Sequence, residues 1–213
     1  MTTTTATPTR SEKADAVTVI LYAAVALVTV ALATTLRIAG TFRETGIAWT
    51  VPIDQQPISA TTDSGAISIE GFADEALIIA NGVDAASVAA IVAAITLWAL
   101  AAAIVIAAVT SVAWNFLRGR FFVRANVWAF NAIGWTLVGA PILIVMLETM
   151  GRNGVTSALG IGEGEPVHPL EFWTIAPIFA TGVTVGLIAV AFRRGIRLQN
   201  EKLALEKETE GLV

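Results

Sequence analysis

Four long stretches without a charged side chain constrain this chain more than any other feature of its sequence. They cover residues 16–36, 85–117, 125–147 and 172–192. A helix needs about 20 residues to cross a hydrocarbon layer about 30 Å thick, and each stretch is long enough to do so. Because lipid offers no hydrogen bonds, a crossing backbone must satisfy its own amides. The sequence therefore predicts four transmembrane helices.

The composition excludes several classes of function. Of the 213 residues, 55% are hydrophobic and 14% are charged, whereas soluble domains carry about 45–50% apolar and about 25% charged residues. The chain has no cysteine and a single histidine, His168, so thiolate chemistry and a histidine metal cluster within one chain are excluded. The net charge of −4 argues against direct nucleic-acid binding.

The distribution of basic residues predicts the orientation. Of the 13 lysines and arginines, only Arg37, Arg43 and Arg152 fall on the side opposite the termini. The positive-inside rule then places both termini in the cytoplasm. The predicted location of the protein is the cell membrane. The predicted segments are an N-terminal tail (1–15), span one (16–36), an outer loop (37–84), span two (85–114), a cytoplasmic link (115–124), span three (125–147), a second outer loop (148–171), span four (172–192) and a cytoplasmic tail (193–213).

The first span has a second interpretation as a cleaved signal peptide. Residues 10–33 have a basic start, an apolar stretch and small residues at Ala31 and Ala33. The acidic Glu12 and Asp15 and the length of the apolar run favour an uncleaved anchor. Either outcome leaves the following loop outside.

The first outer loop contains short β-like runs. They lie at 47–53, 66–70 and 76–80, and are separated by turn residues at 63–65 and 81–82. The predicted fold class is therefore an all-α transmembrane four-helix bundle with a small β-rich extracytoplasmic loop between spans one and two. This loop is either a folded connector or a recognition surface, and the connector is favoured.

The second outer loop is rich in glycine and acidic residues. Gly160–Gly164 resembles a phosphate-binding loop but lacks the flanking strand, the helix and the lysine that hold phosphate. Glu163, Glu165, His168 and Glu171 could hold a cation, although a solvated acidic loop is the favoured interpretation. We predict no metal, no cofactor and no catalytic residue.

The interiors of the spans contain no aspartate, glutamate, lysine, arginine or histidine, which argues against a proton relay. Asn131 is predicted to make a hydrogen bond between helices. Gly182 and Gly186, four residues apart, offer a close-packing face for the bundle or for a homo-oligomer. The candidate partner or packing surface comprises Arg118, Arg120, Arg124, Asn131, Gly182, Gly186, Arg193, Arg194 and Arg197.

Two segments resemble a bacterial family of four-span membrane proteins, domain-of-unknown-function family 2975. One is Gly119–Phe122 followed by Asn126, and the other is Phe192–Leu198 followed by Glu208–Val213. Residues 199–207 are an insertion relative to that tail pattern. The resemblance implies four spans with a large first outer loop, no known catalytic residue and a small helix-turn-helix regulator as a partner.

These observations favour a noncatalytic membrane protein that regulates or scaffolds a partner through its cytoplasmic link and tail, while the lipid bilayer surrounds its spans. The alternative is a transporter or channel component for small molecules that works as an oligomer. A membrane enzyme has no supporting pattern, because no catalytic triad or intramembrane carboxylate pair is present.

Overall fold

The computed structural model describes residues 10–61, 68–160 and 169–210. Its elements are α1 (Arg10–Thr41), β1 (Phe42–Arg43), β2 (Gly46–Thr61), β3 (Ser68–Ala80), α2 (Ala85–Leu117), α3 (Arg124–Ala158) and α4 (Pro169–Glu210). Each of the four helices is long and apolar enough to cross a membrane. The chain is therefore a mostly helical, multi-pass membrane protein by length and composition. Its helices are compatible with a four-helix bundle, and a small β region follows the first.

Exposed apolar side chains on α1 show why this protein needs an apolar solvent. Val17, Leu21, Tyr22, Val25 and Leu32 each expose more than half of their surface. In water, apolar surface costs about 25 cal/mol for each Å² left unburied. Lipid tails are as apolar as these side chains and remove that cost.

The chain forms two compact units, of which one contains the sheet. This sheet unit comprises residues 35–95 and 146–167. Its core is formed by Ala80, Ile91, Ile95 and Val155, against which Phe42, Ile47, Trp49, Ile78 and Val83 pack. The sheet therefore rests on the start of α2 and the end of α3.

The sheet is antiparallel in the order β1-β2-β3, and β2 and β3 are longer than the predicted β-like runs. Strand β2 continues through Pro52 and Pro57, and its register with β3 shifts between Pro52 and Gln56. Because β1 pairs only with the first two residues of β2, most of β2 has a neighbour on one side only. Proline is tolerated on such an edge because its missing N–H faces away from the ladder. The predicted turn at 63–65 lies outside the described residues.

Helix α3 extends to Ala158, into a segment that the sequence assigns to the second outer loop. Close packing against α2 supports these extra turns. A Cβ atom added at Gly151 would lie 2.5 Å from Cγ1 of Ile91, and one added at Gly154 would overlap Ser87. Val155, on the same part of α3, is fully buried. The glycines here allow two helices to approach and do not mark a loop.

Two polar contacts complete the sheet unit. Arg37 at the end of α1 forms an ion pair with Glu148 of α3. Asp84 caps α2, since its Oδ1 accepts hydrogen bonds from the N–H groups of Ala86 and Ser87, and its Oδ2 accepts one from the Ser87 hydroxyl at 2.6 Å. These bonds, the hydroxyl bond most of all, hold the pKa of Asp84 below its ordinary value.

The second compact unit, the helical unit, comprises residues 1–34, 96–145 and 168–213. Its core contains the buried residues Ala108, Val112, Ala129 and Ile133. The partly buried residues that pack against them are Val105, Phe116, Phe130, Leu137 and Val185. Gly134 of α3 faces Gly182 of α4, because a Cβ atom at Gly134 would lie 3.1 Å from the Gly182 carbonyl oxygen. Small residues thus bring the backbones of α3 and α4 together.

We predict that Gly154→Ala destabilises the protein by about 1–3 kcal/mol, because the new methyl group overpacks the α2–α3 contact at Ser87. The matched control is Gly139→Ala on the same helix. No atom lies within 4 Å of a Cβ added there, and alanine is the better helix former by about 1 kcal/mol. Thermal unfolding in detergent should separate the two variants. Equal melting temperatures would contradict the packing argument.

Candidate functional site

A tight turn connects α2 to α3 at the end of the helical unit where basic residues gather. The N–H of Gly119 donates to the carbonyl of Phe116 at 2.9 Å, and the N–H of Arg120 donates to that of Asn115 at 2.9 Å. This pair of bonds is a Schellman motif, which requires a left-handed residue after the helix end. Gly119 supplies it with φ of 67°. The link therefore leaves α2 in one defined direction.

A buried side-chain amide, Asn126, holds the link in place. Its Oδ1 accepts a hydrogen bond from Nδ2 of Asn115 at 2.8 Å. Its Nδ2 donates to the carbonyl oxygens of Arg120 at 3.1 Å and Phe121 at 2.8 Å. Asn126 is 0% exposed, so its polar atoms need these partners. The last turn of α2, the link and the first turn of α3 thereby form one hydrogen-bonded assembly.

Aromatic packing attaches α4 to the same assembly. The ring of Phe192 lies 6.1 Å from that of Phe116, 5.6 Å from that of Phe122 and 4.9 Å from that of Phe130, measured between centroids. One turn further along α4, a Cβ atom at Gly195 would lie 2.6 Å from Cε1 of Phe122. Glycine at this position lets α4 approach the link closely. These contacts set where the following arginines of α4 lie.

A groove runs between the start of α3 and the last part of α4. We call it the α3–α4 groove, and its volume is about 700 Å³. Its lining residues recur every three or four positions, so each helix contributes one face. They are Arg124, Val127, Trp128 and Asn131 from α3, and Arg193, Ile196, Arg197, Asn200, Glu201 and Ala204 from α4.

The α3–α4 groove has an excess of positive charge. Three arginines line it, Arg124, Arg193 and Arg197, against a single acidic residue, Glu201. Nε of Arg197 donates to Oε1 of Glu201 at 2.8 Å. Within the part of the chain that the structure describes, Arg124 and Arg193 form no ion pair. The arrangement therefore suits an anion.

The structure brings together four of the nine candidate residues. Arg124, Asn131, Arg193 and Arg197 all line the α3–α4 groove. Arg118, Arg120 and Arg194 are exposed outside it, and the Arg118 guanidinium lies 4.6 Å from the centroid of the Trp114 ring. Gly182 and Gly186 lie elsewhere, in the packing of α4 against Gly134.

Some residues that shape the site are absent from the candidate set. The fully buried amide is Asn126, whereas Asn131 is only partly buried and lines the groove. Trp128, also in the lining, is 76% exposed. The helical spacing of Arg124, Trp128 and Asn131 indicates a shared face, but only the packing of α4 shows that this face borders a groove.

The sequence offers a cation site in the second outer loop as an alternative interpretation. The side chains of Glu163, Glu165, His168 and Glu171 lie outside the described residues. Among the residues that are described, no group of three or more histidine, cysteine, aspartate or glutamate side chains could hold a metal ion.

No protein-family model, curated protein or solved structure matches this chain. We therefore infer its function from the geometry of the link, the groove and the end of α4. These three features all belong to the helical unit.

We predict that Asn126→Leu destabilises the protein by about 1–3 kcal/mol. The substitution removes the amide that pairs with Asn115 and with two link carbonyls, and buried polar groups left without partners cost about that much. Asn153→Leu, at an exposed position of α3, is the control and should change stability little. Chemical unfolding in mild detergent provides the measurement, and similar midpoints for the two variants would show that the hydrogen bonds of Asn126 are unimportant for stability.

Proposed function

We propose that this chain is a noncatalytic protein of the cell membrane that regulates or scaffolds a cytoplasmic partner through its link and tail. Both termini and the link lie in the cytoplasm in this proposal, as the distribution of lysine and arginine favours. The observation that carries the proposal is the continuity of α4, which runs from its apolar part into a charged segment without a break.

The length of α4 leaves a helical arm beyond the membrane. Its 42 residues span about 63 Å at 1.5 Å per residue, roughly twice the thickness of a hydrocarbon core. Two pairs spaced i,i+4 support the charged part, Arg197 with Glu201 at 2.8 Å and Lys202 with Glu206 at 3.5 Å. The arm can therefore keep its helical form in water.

One side of this arm presents apolar side chains. Leu198 and Leu205, seven residues apart, are 61% and 64% exposed, and we call this pair the tail stripe. Residues at this spacing lie on the same side of a helix. An amphipathic helix of a partner could place its own apolar residues on such a stripe.

The nearby charges favour an acidic partner. Arg118, Arg120 and Arg194 are exposed, and the hydrogen bond from Asn126 to the Arg120 carbonyl fixes the backbone that carries Arg120. Complementary charge speeds encounter and selects among partners more than it adds affinity. If the resemblance to family 2975 holds, the partner is a small helix-turn-helix regulator.

We predict that a photo-crosslinker at Leu198 captures one cytoplasmic protein in living cells, whereas a crosslinker at Leu203 does not. Leu203 is also exposed but lies about 140° around the helix from Leu198. The captured protein should then bind the purified full-length chain, and Leu198→Glu should weaken this binding at least about tenfold by placing a charge in an apolar contact. Leu203→Glu is the matched control.

Two outcomes would overturn this proposal. Equal capture from positions 198 and 203 would show that the tail stripe has no selectivity. Full biological activity in cells after deletion of residues 199–213, with normal membrane insertion, would show that the tail is unnecessary. Flux of a small molecule through reconstituted vesicles that contain only this chain would instead favour the oligomeric transporter.

A further inference from the structure

We propose that the α3–α4 groove binds the phosphate group of an anionic phospholipid, with an acyl chain of that lipid lying along the exposed apolar faces of α3 and α4. This inference does not depend on a protein partner. It uses other side chains of α4 than the tail stripe does, and Arg193 lies about 140° around the helix from Leu198.

The headgroup part of the site consists of guanidinium groups from two helices. Arg124 begins α3, while Arg193 and Arg197 are one turn apart on α4 and border the same groove. A guanidinium presents a planar fork of donors that matches two oxygens of one phosphate. Glu201 offsets only one of the three charges, through Arg197. A monoanionic phosphodiester would meet an excess of two positive charges.

The α3 side continues from the groove as an apolar stripe. Trp128, Trp135 and Ile142 follow one another at intervals of seven residues, and they are 76%, 76% and 42% exposed. Fourteen residues of helix span about 21 Å, which is more than half of a hydrocarbon core about 30 Å thick. Trp128, at the groove, has the amphipathic ring that favours the boundary between headgroups and hydrocarbon. This stripe has the length and polarity gradient of a phospholipid.

The α4 side has a matching apolar face. Val190 precedes Arg197 by seven residues and Val183 precedes Val190 by seven, and they are 56% and 46% exposed. Within the groove, Val127, Ile196 and Ala204 separate the polar groups. Both walls thus change from basic to apolar in the same direction along the helices.

This change in character favours a lipid over the other anions that arginines could bind. A soluble phosphate would use the guanidinium groups but would make no contact with the stripe from Trp128 to Ile142. An acidic peptide would meet the same basic lining, but the apolar faces lie within helices long and apolar enough to cross a membrane. Basic pockets between membrane helices are a known mode of binding for anionic headgroups.

The test uses the full-length protein, released from mild detergent and titrated with phosphatidylglycerol or with phosphatidylcholine of identical acyl chains, in native mass spectrometry. We expect phosphatidylglycerol to bind at least about tenfold more tightly. Arg193→Gln should weaken phosphatidylglycerol about tenfold, because a charge-assisted hydrogen bond to phosphate is lost. Arg194→Gln, adjacent in the chain but outside the groove lining, should change the affinity less than twofold.

Two further variants separate the lipid from a free anion and from misfolding. Trp135→Ala, outside the groove but on the stripe, should weaken phosphatidylglycerol several-fold and leave any binding of inorganic phosphate unchanged. Arg193→Lys keeps the positive charge that supports insertion but loses the planar fork. It should therefore bind phosphatidylglycerol more weakly than the unmodified chain does, and this comparison tests the fork even if the glutamine variant fails to fold.

Three results would overturn the proposal. One is equal affinity for phosphatidylglycerol and phosphatidylcholine. Another is an equal loss of affinity in Arg193→Gln and Arg194→Gln, which would indicate a diffuse charge effect. The third is displacement of phosphatidylglycerol by equimolar inorganic phosphate, which would identify a soluble phosphate as the ligand.

Discussion

The side-chain amide of Asn126 joins the last turn of α2, the link and the first turn of α3, and the placement of the basic residues depends on these bonds. Without them, the two link carbonyl groups and the partly buried amide of Asn115 would need other partners. With them, Phe121 and Phe122 are directed to the aromatic cluster around Phe192. The arginines of α3 and α4 then come to border one groove.

Helix α4 could bind a lipid and a protein at the same time, because its faces differ in chemistry. The face that contains Arg193 and Arg197 closes the α3–α4 groove, while the face that contains Leu198 points to solvent. A lipid in the groove and a protein on the tail stripe would therefore not compete for the same side chains. A lipid bound between α3 and α4 would also hold the base of the helical arm, which gives membrane composition a physical route to the partner.

Sequence and tertiary structure agree best where a single physical rule decides the outcome. Residues 85–117 contain no charged side chain, and α2 occupies this range. A backbone in hydrocarbon must satisfy its own hydrogen bonds, and a helix does so. They diverge where packing overrides composition. The segment around Gly151 and Gly154 has the glycine content of a loop, yet it is helical since α2 lies close enough to need those glycines. Similarly, the predicted β-like run at 47–53 ends before Pro57, whereas β2 continues through this proline, where the sheet has an open edge.

By itself, the sequence determined the number of long apolar helices and the presence of β structure after the first, because these follow from local hydrophobicity and spacing. The sequence also identified Arg124, Asn131, Arg193 and Arg197 as candidate site residues. It did not distinguish them from Arg118, Arg120 and Arg194, which lie outside the groove lining. Only the tertiary structure decided that these four share a groove with Trp128, and that Asn126 is the buried amide. The physical reason is that a groove is made by two helix faces brought together. The close approach of α4 through Phe192 and Gly195 depends on contacts between residues far apart in the chain.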